Sequence, residues 1–240
     1  MAQQTVTYES VMHDLKERKF KPIYYLMGDE PYFIDKISDW IADNVLQPEE
    51  RDFNQTVLFG SDVNASQIAD AARRYPMMAE RQVVIVKEAQ NIKNTEPIER
   101  YLKNPMASTV LVMCHKNGTI DGRRREYVKT IQQTGVLFES KKLRERDLPS
   151  FIERYLKAKN ATIEPKAIQM IADSIGADLS RLTGEMDKVG GFRPLILCHD
   201  PGHFRPARFY PGCFDLVRLH TGYFRLVLSD KRRPSALRSR

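Results

Sequence analysis

Gly28-Asp29-Glu30-Pro31 follows the apolar run Ile23-Tyr24-Tyr25-Leu26-Met27, where a strand would hand over to a helix and a phosphate loop would stand. Such a loop needs the spacing G-x-x-x-x-G-K-[ST]. Its backbone N–H groups cradle phosphates, its lysine reaches the terminal ones and its hydroxyl holds magnesium. Counted from Gly28, Phe33 takes the place of the second glycine, Ile34 that of the lysine and Asp35 that of the hydroxyl. Asp29 and Glu30 also put negative charge at the N-terminus of the coming helix, where the dipole would otherwise attract an anion. After the third apolar run, Lys87 and Glu88 occupy the place of a magnesium-binding aspartate. Both halves of an ATP and metal apparatus are missing, so the sequence predicts no catalytic residue, no cofactor and no metal.

Other reactive groups make weaker patterns. Cys198, His199, His203 and Cys213 are zinc-ligand types, but proline and glycine fall between them and the spacing fits no common finger. Cys114-His115 follows an apolar run with no third group to complete a nucleophile–base pair, so His115 reads as a surface residue. Arg123-Arg124-Arg125 stands at a helix start and reads as a solvated face. Three cysteines form no framework of bridges, and a reducing cytoplasm is the simplest setting. The first ten residues lack the basic and apolar regions of a signal peptide, and no apolar run is long enough to cross a membrane.

A different chemistry, that of apolar contact, is offered by Tyr75-Pro76-Met77-Met78. Ile68, Ala71, Ala72 and Tyr75 keep helical spacing, and Pro76 cannot continue the helix. A strand is expected from Val83. Two adjacent methionines thus stand on a short connector. Their long, unbranched side chains suit surfaces that adapt to another protein, but composition alone favours a pair plugging the base of the core.

The elements around these residues alternate. Apolar runs at Ile23–Met27, Thr56–Phe59, Val83–Val86, Thr109–Cys114 and Val136–Phe138 are separated by helical patterns, with Asp29 as the expected cap of the first long one. That alternation indicates a parallel five-stranded sheet covered by helices on both faces, an α/β domain over residues 1–140. Residues 141–188 show three helical patterns and no strand, a small all-helical domain.

From Gly190 the composition changes. Residues 190–240 hold no Glu, one Lys, nine Arg, five Pro and five Gly. Residues 1–188 carry 28 Lys+Arg against 28 Asp+Glu, whereas residues 189–240 carry ten against three, so the whole net charge of +7 sits in the last fifth of the chain. The global charge is therefore no sign that the main body binds nucleic acid. Leu195–Leu197 and Phe224–Leu228 have strand character, but the segment as a whole reads as an aberrant, disordered basic tail, from another reading frame or a fusion. The alternative is a basic arm that grips phosphates and stacks bases.

Three blocks carry a resemblance over residues 1–188: Tyr24-Tyr25-Leu26-Met27-Gly28-Asp29-Glu30-Pro31, Tyr75-Pro76-Met77-Met78-Ala79-Glu80-Arg81-Gln82, and Leu182-Thr183-Gly184-Glu185-Met186-Asp187-Lys188. The body resembles the delta subunit of bacterial DNA polymerase III, the sliding-clamp loader subunit that opens the clamp. The resemblance implies an AAA+-like (RecA-type) first domain without its own ATP site, then a small helical domain. It implies a non-catalytic role in DNA replication, within a holoenzyme that is a nucleotidyltransferase. It further implies that an apolar pair before the third strand, here Met77 and Met78 with Tyr75 and Pro76 beside them, inserts into a pocket of the beta sliding clamp. Other loader subunits, and primed DNA through the assembled complex, are the implied further partners, in the cytoplasm and with no membrane. The family continues into a collar domain that joins loader subunits. Here the basic tail replaces it from about Val189, which puts loader assembly in doubt.

Overall fold

Short β-branched and aromatic runs build the centre of the molecule. In the computed structural model, which describes residues 6–159, 161–190, 195–198, 216–219 and 222–228, five of them form one sheet. β1 is Ile23–Gly28, β2 Gln55–Phe59, β3 Gln82–Lys87, β4 Thr109–Lys116 and β5 Val136–Ser140. Their order is β2-β3-β4-β1-β5, and every neighbouring pair is parallel. β1, β3 and β4 lie inside the sheet and are buried almost throughout. Burial on both faces is why these strands are apolar at consecutive positions instead of alternating.

Helices cover the two faces. They are α1 Tyr8–Lys16, α2 Pro31–Asn44, α3 Pro48–Asn54, α4 Ala65–Ala72, α5 Glu96–Lys103 and α6 Arg125–Thr134. On one face Tyr25, Val84, Val86, Leu111 and Met113 pack with Ile68, Ile98, Leu102 and Ile131. On the other Tyr24, Leu26, Val83, Ile85 and Val112 pack with Leu15, Ile34, Ile37 and Ile41. The first domain is thus the α/β fold, a parallel five-stranded sheet with helices on both faces, that the alternation of runs predicted.

Three local expectations need correction. Glu30, not Asp29, caps α2: its carboxylate accepts the Tyr32 N–H at 3.2 Å, and Pro31 follows at the first helical position. Helix α4 stops at Ala72, three residues short of Tyr75. Its last carbonyls are captured by side chains from β3, β4 and α5, so the chain has no need of a further turn. Helix α3 was not foreseen. It has seven residues and no apolar stripe, and its signals are the first-turn Pro48, Glu49 and Glu50.

The chain divides into two compact units, residues 1–142 and 143–240. In the second, α7 (Leu148–Ala158), α8 (Pro165–Ile175) and α9 (Leu179–Gly190) bury Phe151, Ile152, Leu156, Ile168, Ile171, Leu182 and Met186. Gly176 ends α8 with φ +73°, a conformation glycine adopts without steric cost. Asp187 on α9 accepts the Tyr155 hydroxyl of α7 at 2.5 Å and pairs with Lys159. A two-residue strand, β6 (Thr162–Ile163), departs from the all-helical expectation. It pairs in parallel with β7 (Leu195–Cys198), and β8 (Leu216–Leu219) and β9 (Gly222–Leu228) complete the order β6-β7-β9-β8. The rest of 191–240 lies outside the described residues. Among the described residues no helix is long and apolar enough to cross a membrane.

Candidate functional site

The β1–α2 turn, where a phosphate loop would sit, is stitched to its own neighbours. Gly28 has φ +132°, and a Cβ there would stand 2.0 Å from the Ser140 carbonyl oxygen. The Glu30 N–H donates to that carbonyl at 3.3 Å, and the Ser140 hydroxyl donates back to the Glu30 carbonyl at 2.7 Å. The Gly28 carbonyl accepts the Asn117 N–H at 3.0 Å. The glycine therefore permits strand–turn packing, and its backbone groups are engaged from within. Ile34, at the lysine position, is fully buried in the core.

The metal position is occupied by an internal cation. Lys87, at the end of β3, donates to the Ser38 hydroxyl at 2.8 Å and to Asp39 at 3.3 Å, both on α2. Asp35, at the hydroxyl position of the motif, pairs with Lys116 of β4 at 2.7 Å and lies 3.9 Å from Lys87. Two strand-end lysines and two α2 carboxylates thus complement each other across the place where magnesium and phosphates would meet. Among the described residues no group of three or more His, Cys, Asp or Glu is arranged to hold a metal. The Cys198, His199, His203, Cys213 set reaches beyond the described residues.

His115 is not the free surface residue the sequence suggested. It is half-buried, and its Nδ1 lies 3.0 Å from the Tyr25 hydroxyl. Burial lowers its pKa and pushes that of Tyr25 up to about 12. Tyr127 meets Tyr25 edge-on at 6.0 Å, and the Arg124 guanidinium lies over the Tyr127 ring at 5.3 Å while pairing with Glu99 at 2.8 Å. Arg123 and Arg125 are exposed, in keeping with a solvated face.

The connector between α4 and β3, residues 73–81, carries three exposed large apolar side chains. Met78 is fully exposed, Met77 62% and Tyr75 80% exposed, with Pro76 partly covered. The structure overturns the expectation from composition that the pair plugs the core base. Met78 also has φ +53°, a left-handed conformation that non-glycine residues adopt at a cost. Exposed apolar side chains on a strained backbone gain the fold nothing, which is the pattern of a surface shaped for another molecule.

Two buried carboxamides hold the connector. At its base, Gln82 Nε2 lies within bonding distance of the carbonyls of Ala71, Ala72 and Arg74 and 2.7 Å from the Thr109 hydroxyl. The Thr109 and Tyr101 hydroxyls donate to the Ala72 carbonyl at 2.8 and 3.3 Å. In its middle, Asn54 at the end of α3 accepts the Met77 N–H at 2.6 Å and donates to the Met77 carbonyl at 2.9 Å. Sequence reasoning missed Asn54. Its contact spans 23 positions, and only the unforeseen α3 brings it there. The exposed Phe53 precedes it.

Residues 24–141, which include the connector, match the family model described as DNA polymerase III, delta subunit. The DNA polymerase III subunit delta of Bacillus subtilis (strain 168) is 26% identical over 192 residues, covering 76% of this chain and 55% of that protein. The solved structure of the Bacillus subtilis DNA clamp loader delta protein (YqeN) superposes with a TM-score of 0.66 at 25% identity, covering 77% of this chain and 57% of that one. The chain thus spans about half the length of the curated relative it matches.

Proposed function

We propose, from the premise that residues 24–141 belong to the DNA polymerase III delta-subunit family, that this chain binds the beta sliding clamp through Met77 and Met78 as a non-catalytic clamp-loader subunit. The observation that carries the reading is the exposure of both methionines on a connector held at its base and in its middle. A rigid platform presenting two adaptable apolar side chains suits insertion into an apolar pocket, because little ordering remains to be done on binding. Tyr75 and Pro76 flank the pair and would form the rim of the contact. In this reading the AAA+-like domain works as a scaffold that needs no nucleotide, since its own side chains complement the ancestral site. Opening of the clamp, pairing with other loader subunits and access to primed DNA in the cytoplasm belong to the same proposal.

The test is titration of the purified chain with its cognate clamp, alongside the double variant Met77→Ala, Met78→Ala. Complex formation by the parent and at least about a hundredfold weaker binding by the variant are expected, from roughly 1.5–3 kcal/mol per buried methionine less ordering costs. A parent chain that ignores the clamp, or a variant that binds as the parent does, overturns the reading.

A further inference from the structure

We infer that Asn54 is the positioning residue of the methionine connector, fixing the conformation in which Met77 and Met78 meet their partner. The inference rests on the docking reading above for its partner, but its geometry stands independently. The Asn54 side chain is 4% exposed. A carboxamide has one acceptor oxygen and two donor hydrogens. Here the oxygen takes the Met77 N–H at 2.6 Å. The nitrogen serves the Met77 carbonyl at 2.9 Å and the Glu50 carbonyl, one helical turn back, at 3.0 Å. The bond to Glu50 ties the amide to α3, and the other two grip the Met77 residue by both of its backbone polar groups, as a strand partner would.

The consequence falls on Met78. A methionine does not hold a left-handed conformation unaided, so its surroundings must impose it. With the preceding residue clamped by Asn54, the chain leaves Met77 in one direction, and the fully exposed Met78 side chain is carried into solvent. Without the clamp, the connector would sample other conformations. The fraction ready to bind would fall, and apparent affinity would fall by the same factor. Among residue types only asparagine has this reach and this donor–acceptor set. Aspartate keeps the acceptor but sets a charge against two carbonyl oxygens, and alanine removes everything.

The experiment uses the full chain and its Asn54→Asp and Asn54→Ala variants, with hydrogen exchange read residue by residue and clamp binding by titration. Asn54→Ala, which removes the acceptor, is expected to exchange the Met77 amide at least about tenfold faster while amides of β1 and β4 keep their protection, a result that a general loss of stability would not give. Clamp affinity is expected to fall about tenfold. In the Met77→Ala, Met78→Ala background the Asn54 change is expected to have no further effect, because it acts through those side chains. Unchanged exchange at Met77 in Asn54→Ala overturns the inference, as does an equal loss of clamp affinity with and without the methionines. If the double methionine variant alone binds as the parent does, the docking reading fails, and the exchange data still decide whether Asn54 sets the connector. Should Asn54→Asp not fold, Asn54→Ala carries the same comparisons.

Discussion

At the scale of single residues, Met78 separates stability from function most sharply. Met78→Gly removes a left-handed strain of about 1–2 kcal/mol, offset in part by the roughly 0.5–1 kcal/mol that glycine's extra freedom costs. The variant is therefore expected to melt at or slightly above the parent temperature while binding the clamp more weakly, which calorimetry and titration read on one sample. Gly28 is its opposite. With φ +132° and a prospective Cβ 2.0 Å from the Ser140 carbonyl, Gly28→Ala is expected to cost about 3 kcal/mol or more, visible as a large drop in denaturation midpoint. Tyr25 gives a pH signature. Burial raises its phenol to about 12, so its contribution to stability is complete below the unfolded value near 10 and is lost as pH rises through 12. Unfolding followed from pH 9 to 12 is expected to lose about 2–3 kcal/mol from this group. In Tyr25→Phe that part of the slope disappears.

At the scale of elements, the connector draws its shape from its neighbours: α3 through Asn54, and the strands β3 and β4 through Gln82 and Thr109. Gln82→Leu keeps the volume but leaves buried carbonyls of Ala71 and Ala72 with fewer donors, at about 1–3 kcal/mol for each group left unsatisfied. Because Gln82 also borders the methionine connector, both stability and clamp affinity are expected to fall, unlike the Met78 case where they part. At the β1–α2 turn, the place where a phosphate loop would bind its ligand is filled by the chain's own side chains. With Lys87 on Ser38 and Asp39 and Lys116 on Asp35, added ATP and magnesium face a site already neutralised. Calorimetry is expected to show no saturable micromolar binding. Saturable binding that Gly28 or Lys87 substitutions abolish would show that a nucleotide can displace this network.

At the scale of the whole molecule, charge is the property that divides. Residues 1–188 are neutral and 189–240 carry +7. Any salt-dependent affinity for DNA is expected to reside in the last segment, since phosphate neutralisation by Lys and Arg sets the salt slope. Gel-shift titrations at two salt concentrations, with the whole chain and with one ending at Lys188, read this directly. Equal binding by both would place the nucleic-acid contact on the neutral body. We further propose that the segment beyond 190 is an addition separate from the body in origin, because proline and glycine divide its apolar runs. Limited trypsin digestion is expected to cut among its arginines first and leave a fragment ending near 188. The strands β7, β8 and β9 fall within this segment, so persistence of the whole chain under trypsin would make their sheet with β6 a true part of the second unit.

The sequence by itself determined the five parallel strands, because strands buried on both faces must be apolar at consecutive positions and the runs at Ile23, Val83 and Thr109 could be little else. It also determined what the β1–α2 turn lacks, since the phosphate-loop spacing is a local pattern read from side-chain types alone. The connector's place between a helix and the third strand was legible through Pro76. Whether Met77 and Met78 point into the core or into water was not, because a methionine suits either and the answer depends on what packs above it. The early end of α4, the cap from Glu30, the Tyr25–His115 contact and the grip of Asn54 on Met77 were equally hidden. Each joins residues far apart in the chain, or turns on which of two neighbouring carboxylates the backbone aims at the helix. Periodicity records which face of an element is apolar. Only the tertiary structure decides which distant polar group arrives to satisfy a buried carbonyl, and here that decision sets the shape of the exposed pair.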